Sequence, residues 1–426
     1  MKAIGIDIGT TSVCGVLVDT KTGEILKSRT ENSDAFLTDC QPWEKIQSVE
    51  KIMTVATDIL NGFFDEDVAV IGVTGQMHGI VYTDCEGQAV SPLYTWQDER
   101  GNLPYRDTTY AGFLKSCSGF GNVTDFYNRE NGIRPDAAVS YCTIHDYFVM
   151  QLCGLKKPLI HASDAASFGC YHLETNQFDY DCNVDITTDF AVAGTYRGIP
   201  VGVAIGDNQA SVFSTLADCE SVLFNVGTGS QVSVVTDTIV SGEDIETRPY
   251  FDNQYLVVGA ALCGGRAYSL LKSFYQEILS SFAEVCEEQV YEWMNQTIEG
   301  TQKQALTVDT RFAGTRRDAG ISGSITNITT ETFNSASLTA GVLEGMAEEL
   351  FRMYLQMQSK RSGIIGAGNG IRKNPALVRV FEEKFGTSMK IPKHTEEAAF
   401  GAALFGMVAC GICKSAKDAQ KLIAYR

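Results

Sequence analysis

Gly5-Ile6-Asp7-Ile8-Gly9-Thr10-Thr11, near the start of the chain, and Asn225-Val226-Gly227-Thr228-Gly229-Ser230, past its middle, are two apolar runs that break into turns of glycine and hydroxyl residues. Around the first, a second apolar run follows the turn, and Thr20-Lys21-Thr22-Gly23 leads into a third, which predicts a strand meander. Around the second, Ser221 to Asn225 passes through Gly227-Thr228-Gly229-Ser230 into Gln231 to Val235 and repeats that opening. Pattern alone leaves two unrelated hairpins open. The turn chemistry narrows the choice, because backbone N–H groups and Thr or Ser hydroxyls at a glycine turn can wrap phosphate oxygens.

Working outward, Glu44 to Leu60 spaces Ile46, Val49, Ile52, Met53, Ile59 and Leu60 along one helical face. Val68 to Val73 reads as a buried strand ending at Gly75, so strands and helices alternate as in an α/β domain. Gly198-Ile199-Pro200 punctuates the chain before a short strand, Val201 to Ile205, that runs into Gly206-Asp207-Asn208-Gln209. Leu338 to Met357 carries a core stripe at helical spacing. Ile364-Ile365 then enters Gly366-Ala367-Gly368-Asn369-Gly370, and Asn374-Pro375 offers a helix cap with Pro in the first turn.

A chain of 426 residues with 44% hydrophobic content has material for about two or three domains. Its formal charge of -18 argues against nucleic acid or an anionic membrane as partner. An anionic small ligand would need backbone N–H groups and a divalent cation. Asp7 interrupts the apolar stretch that a signal peptide requires, and no run approaches a membrane span, so a cytoplasmic protein is expected. The 13 cysteines then read as reduced thiols. Cys410 and Cys413 form a Cys-x-x-Cys pair without the second pair a zinc site needs, and read as small buried residues.

Asp7, at a strand end beside a hydroxyl turn, can hold Mg²⁺ while the ion bridges phosphate oxygens. Asp207 lies between a strand and an expected helix, where a carboxylate can serve either as an N-cap or as a general base toward an alcohol. An Asp-x-Gly-Thr turn in isolation is as readily a hairpin.

These residues carry a resemblance to the FGGY carbohydrate kinases, within the fold superfamily of actin, hexokinase and glycerol kinase. It rests on the opening motif, Gly75-Gln76-Met77-His78-Gly79, Trp96 to Arg100, Gly206-Asp207-Asn208, Gly227-Thr228-Gly229 and Gly366 to Gly370. Leu93 to Asp98, Thr143-Ile144-His145-Asp146-Tyr147, Asp164 to Gly169 and Gly370 to Pro375 look most like sedoheptulokinases, with xylulokinases next. Asn327 stands where the second family signature usually has Gly, and the chain looks shorter than typical members.

The resemblance implies an α/β fold of two actin- and hexokinase-like (ribonuclease H-like) ATPase domains flanking a nucleotide cleft, residues 1–200 and 201–426. It implies ATP-dependent phosphorylation of a ketose, with ATP and Mg²⁺ as cofactors and Asp207 as base. Asp7 would hold the metal, and Gly9, Thr10, Thr11, Gly227, Thr228 and Gly229 the phosphates. Gly366, Gly368 and Asn369 would border adenosine. Gln76, Met77, His78, Trp96, Asp98, Asp207 and Asn208 would meet the sugar. A homodimer stays open, as does a different class of function, a sugar-sensing pseudokinase or an actin-like ATPase.

Overall fold

The computed structural model describes residues 1–298, 306–315, 318 and 320–426. The chain forms two compact units that interleave in sequence. One comprises Met1–Ala217, Arg248–Gln254 and Glu396–Ala424; the other comprises Asp218–Thr247, Tyr255–Thr395 and Tyr425–Arg426. The sequence pattern suggested one boundary, at residues 200 and 201. The strand Ile205–Gly206 nevertheless pairs with the first sheet, and the late helix Glu397–Ala409 packs on it.

In the first unit the sheet order is Val192–Tyr196, Ile199–Gly202, Val68–Gly75, Lys2–Ile8, Ser12–Asp19, Ile25–Asn32, with Ile205–Gly206 also on Val68–Gly75. The opening meander is antiparallel, and Val68–Gly75 then runs parallel to Lys2–Ile8. Helix Val49–Asn61 buries Ile52, Ala56, Ile59 and Leu60, and each fully buried Ile contributes roughly 1.5–3 kcal/mol. It begins later than its apolar spacing predicts. Ile46–Gln47 instead pairs antiparallel with Leu93–Tyr94, and the Ser48 hydroxyl caps the helix by accepting from Lys51 N–H at 3.3 Å.

Helix Glu397–Ala409 has no polar face, and most of its residues are buried. Gly5 and Gly72 let it lie on the sheet backbone, since a Cβ at either would overlap the carbonyl of Ala399 or Ala402. Gly401 likewise admits the Ala210 carbonyl of helix Asp207–Thr215. Cys410 and Cys413 end this stretch as free thiols, and burial raises both above the ordinary thiol range.

The second unit repeats the plan. Its sheet order is Ile245–Pro249, Tyr255–Ala261, Ser230–Thr236, Ser221–Val226, Gly363–Ala367, Met389–Lys390. Ser230–Thr236 is antiparallel to both its neighbours, and Ser221–Val226 runs parallel to Gly363–Ala367. Helix Ser335–Gln356 buries Val342, Leu343, Met346, Leu350 and Met353. Asn327 has φ +61°, a conformation natural to Gly that Asn tolerates. Among the described residues, no helix is long and apolar enough to cross a membrane.

Candidate functional site

Three strands of the first unit end side by side. Ile8 is paired with Gly75, and Gly75 with Gly206. The chain leaves them as Gly9-Thr10-Thr11, Gln76-Met77-His78 and Asp207-Asn208, so this register gathers residues expected to meet phosphate, sugar and proton. A side chain at Gly206 would displace the Met77 and Gln209 side chains, because a Cβ would lie 2.7 Å from Met77 Sδ and from Gln209 Oε1. Met77 therefore packs against the residue that precedes Asp207.

Gln76 is buried and donates from Nε2 to Gln47 Oε1 at 3.0 Å. Gln47 in turn donates to the Thr10 carbonyl at 2.6 Å. His78 has φ +73°, a left-handed conformation that is uncommon for a non-glycine residue. Its ring stacks on Phe120 at 4.2 Å between centroids, and Nδ1 lies 2.8 Å from the Ser167 carbonyl. A carbonyl only accepts, so Nδ1 carries the proton in this contact.

Trp96 is 46% exposed, and its indole N–H donates to Thr10 Oγ1 at 2.9 Å, which ties this aromatic to the first turn. Asp98 is placed differently from its neighbours. It is buried, and Arg100 grips both its oxygens at 2.6 and 3.1 Å while Lys45 N–H donates to Oδ2 at 3.0 Å. That arrangement braces the Trp96 loop.

Asp207 opens helix Asp207–Thr215. Burial raises its carboxyl above the ordinary range, against the opposing pull of His145, the Asn208 backbone N–H and Arg248. Asn208 follows, half-buried, in the same turn. Asp7 is pushed up to about 7, chiefly by burial and then by the charges of Asp207 and Glu396. Its Oδ1 is buried and has no hydrogen-bond donor among the described residues. A buried carboxylate oxygen left so is a hard, anionic donor of the kind that Mg²⁺ takes. The residues fit the ion.

In the second unit, Gly227, Thr228 and Gly229 are exposed, and the turn is closed by Gly227 N–H donating to the Gly229 carbonyl at 2.9 Å. The Gly264-Gly265 pair packs beneath it. Gly265 N–H donates to the Gly227 carbonyl at 2.9 Å and Arg266 N–H to that of Thr228 at 3.0 Å. Asn225 pairs with Ala367, so the Gly368-Asn369-Gly370 segment leaves the sheet next to this turn. Gly368 has φ +80°, and a Cβ there would sit 2.5 Å from the Val226 carbonyl oxygen. Asn369 is exposed, whereas Gly366 lies within the strand under Met389 and Ile371.

The model of the N-terminal domain of the FGGY family of carbohydrate kinases matches residues 2–106, and that of the C-terminal domain matches residues 222–410. The chain belongs to this family. It is therefore a sugar phosphotransferase. Among its relatives, the sedoheptulokinase of Mus musculus is 28% identical over 94% of this chain and 96% of its own length. That of Homo sapiens is 29% identical over 94% and 96%. A xylulose kinase of Staphylococcus xylosus is 23% identical over 94% and 89%. Among solved structures, xylulose kinase from Rhodospirillum rubrum superposes with a TM-score of 0.85 at 18% identity, covering 100% of this chain and 93% of that one. A ligand-bound xylulose kinase from Lactobacillus acidophilus gives 0.84 at 18%, covering 100% and 92%. These establish the kinase fold in both units.

Sequence reasoning missed Gln47, Arg248, Glu396 and the Gly264-Gly265 pair. Gln47 was hidden inside a helical pattern. Arg248 and Glu396 come from segments that join the first unit only through tertiary folding.

Proposed function

We propose that this kinase transfers the γ-phosphoryl group of ATP to a hydroxyl of a ketose, with sedoheptulose as preferred acceptor and Asp207 as general base. The observation that carries the reading is the alignment of three strand ends, which brings Asp207 beside Gln76-Met77-His78 and the Gly9-Thr10-Thr11 turn. Phosphoryl transfer asks mainly for positioning and charge neutralisation, and a carboxylate held above its ordinary range is a better proton acceptor near neutral pH.

In this mechanism Gln76, His78 Nε2, Trp96 and Asn208 orient the sugar, and Met77 supplies an apolar wall. Asp98 contributes by holding the Trp96 loop. Asp207 accepts the hydroxyl proton as the oxygen attacks. Thr10, Thr11, Gly227, Thr228 and Gly229 hold phosphate oxygens, and Gly368 and Asn369 border adenosine, with Gly366 giving the strand its close packing. Asp7, with Glu396 nearby, would hold Mg²⁺, which when bound neutralises phosphate charge.

Sedoheptulose stands first because the sedoheptulokinase relatives align over nearly their full length, and xylulose stands second. Steady-state kinetics with sedoheptulose, xylulose, ribulose and glycerol tests the order. The highest kcat/KM is expected for sedoheptulose; a preference of about tenfold or more for another polyol would reassign the substrate. The reading also has the enzyme work in the cytoplasm and allows a homodimer, which analytical ultracentrifugation would detect as a doubled mass.

A further inference from the structure

Behind Asp207 lies a buried couple that the mechanism so far leaves idle. His145 Nε2 is 3.0 Å from Asp164 Oδ1, and both side chains are fully buried. Asp146 adjoins them, its Oδ2 accepting from Thr143 Oγ1 at 2.7 Å, and the donor atoms of the three lie within 4.8 Å of one another. Among the described residues, neither ring nitrogen of His145 and neither oxygen of Asp164 makes a well-formed hydrogen bond. Such groups are expensive to bury and strongly destabilising to unpair.

Their location is what matters. A Cβ on Gly75 would lie 3.0 Å from His145 Nδ1, so the imidazole ring rests against the strand end that pairs with both Ile8 and Gly206. Ser163, next to Asp164, accepts from Gly206 N–H at 3.1 Å. The couple therefore touches the backbone immediately before Gln76 and, through Ser163, that immediately before Asp207.

We infer that His145 and Asp164 act as one positioning unit for Asp207, holding the Gly75 and Gly206 strand ends where the base meets the sugar hydroxyl. The inference rests on the reading of Asp207 as the base. The electrostatics agree with it, since His145 is the leading charge that opposes the burial of Asp207. Asp207 in turn acts on both His145 and Asp164.

The test is a double-mutant cycle in the full-length chain, with kcat, both KM values and melting temperature measured for His145→Gln, Asp164→Asn, the double variant and Asp207→Asn. Each single change should lower kcat by about tenfold or more with KM for ATP little changed, and the double variant should lose about as much as the worse single one. Unchanged kcat in both single variants, losses that multiply in the double, or a loss confined to KM would overturn the inference. Should a variant fail to fold, Ser163→Ala removes the Oγ contacts to Gly206 N–H and to His161 Nδ1: a several-fold fall in kcat is expected, and unchanged kcat overturns the inference. The two readings fail differently. Full turnover in Asp207→Asn removes the base itself, whereas an inactive Asp207→Asn beside fully active His145 and Asp164 variants removes only the positioning unit.

Discussion

The two glycine turns occupy the same place in two copies of one sheet plan, yet they differ in charge and length. In the first, Asp7 pairs with Cys14 and four residues, Gly9 to Ser12, lie between the last pair, Ile8 and Val13. In the second, Asn225 pairs with Gln231 and three residues, Gly227 to Gly229, lie between Val226 and Ser230. An acid in one repeat thus corresponds to an amide at the equivalent position of the other. The following parallel strand also differs, leading to Gln76-Met77-His78 in one unit and to Gly368-Asn369-Gly370 in the other. On the proposed reading one repeat serves a cation, a sugar and proton removal, while the other, without a carboxylate at the turn, serves phosphate. The same fold has been divided by chemistry.

The largest expected effect comes from making the first turn resemble the second. Asp7→Asn should lower kcat by about 10²- to 10³-fold and raise the Mg²⁺ concentration needed for half-maximal rate. A variant with unaltered Mg²⁺ dependence would dissolve the contrast between the turns. The same substitution has a pH signature. The Asp7 value of about 7 lies above its ordinary 3.8, so the folded chain keeps a proton that the unfolded chain has released. Its contribution to the stability of the metal-free protein should therefore fall as pH rises from about 4 to about 7 and then level off. Apparent Mg²⁺ affinity should climb over that window, since binding displaces the proton. Melting curves in EDTA and Mg²⁺ titrations, each compared with Asp7→Asn, measure the difference; parallel pH profiles would refute it.

Next in size is Gly368→Ala. The left-handed φ and the Val226 carbonyl both oppose a side chain, so a loss of about 1–3 kcal/mol in stability is expected by denaturant titration. No loss would mean that this loop is not held as described. The smallest effect belongs to Trp96→Phe, which keeps the aromatic surface and removes the bond to Thr10. That bond contributes about 0.5–1.5 kcal/mol, so sugar KM should rise while ATP KM stays constant. An equal rise in both would place Trp96 outside the acceptor side.

The turns, and the place of Asp207 between a strand end and a helix, could be recognised in the sequence because their determinants are local. A single turn of glycine, hydroxyl and carboxylate reads as readily as a hairpin, and it was the recurrence of such turns that gave them meaning. Asp98 was misleading for the opposite reason: a buried guanidinium two residues later takes up its carboxylate, and the spacing alone does not reveal burial. Cys410 and Cys413 were read as small buried residues, but the buried helix Glu397–Ala409 that precedes them, and the sheet it covers, went unread. Glu396 and Arg248 were invisible because their relation to Asp7 and Asp207 exists only after distant segments have joined the first unit.

ADP release on adding a ketose, followed in the wild-type enzyme and in Asp207→Asn, tests the central claim most directly. The account predicts sedoheptulose-dependent release in the wild type and a fall of about 10²-fold or more in the variant, with ATP binding retained. Undiminished release in Asp207→Asn, or no stimulation by any polyol, would contradict it.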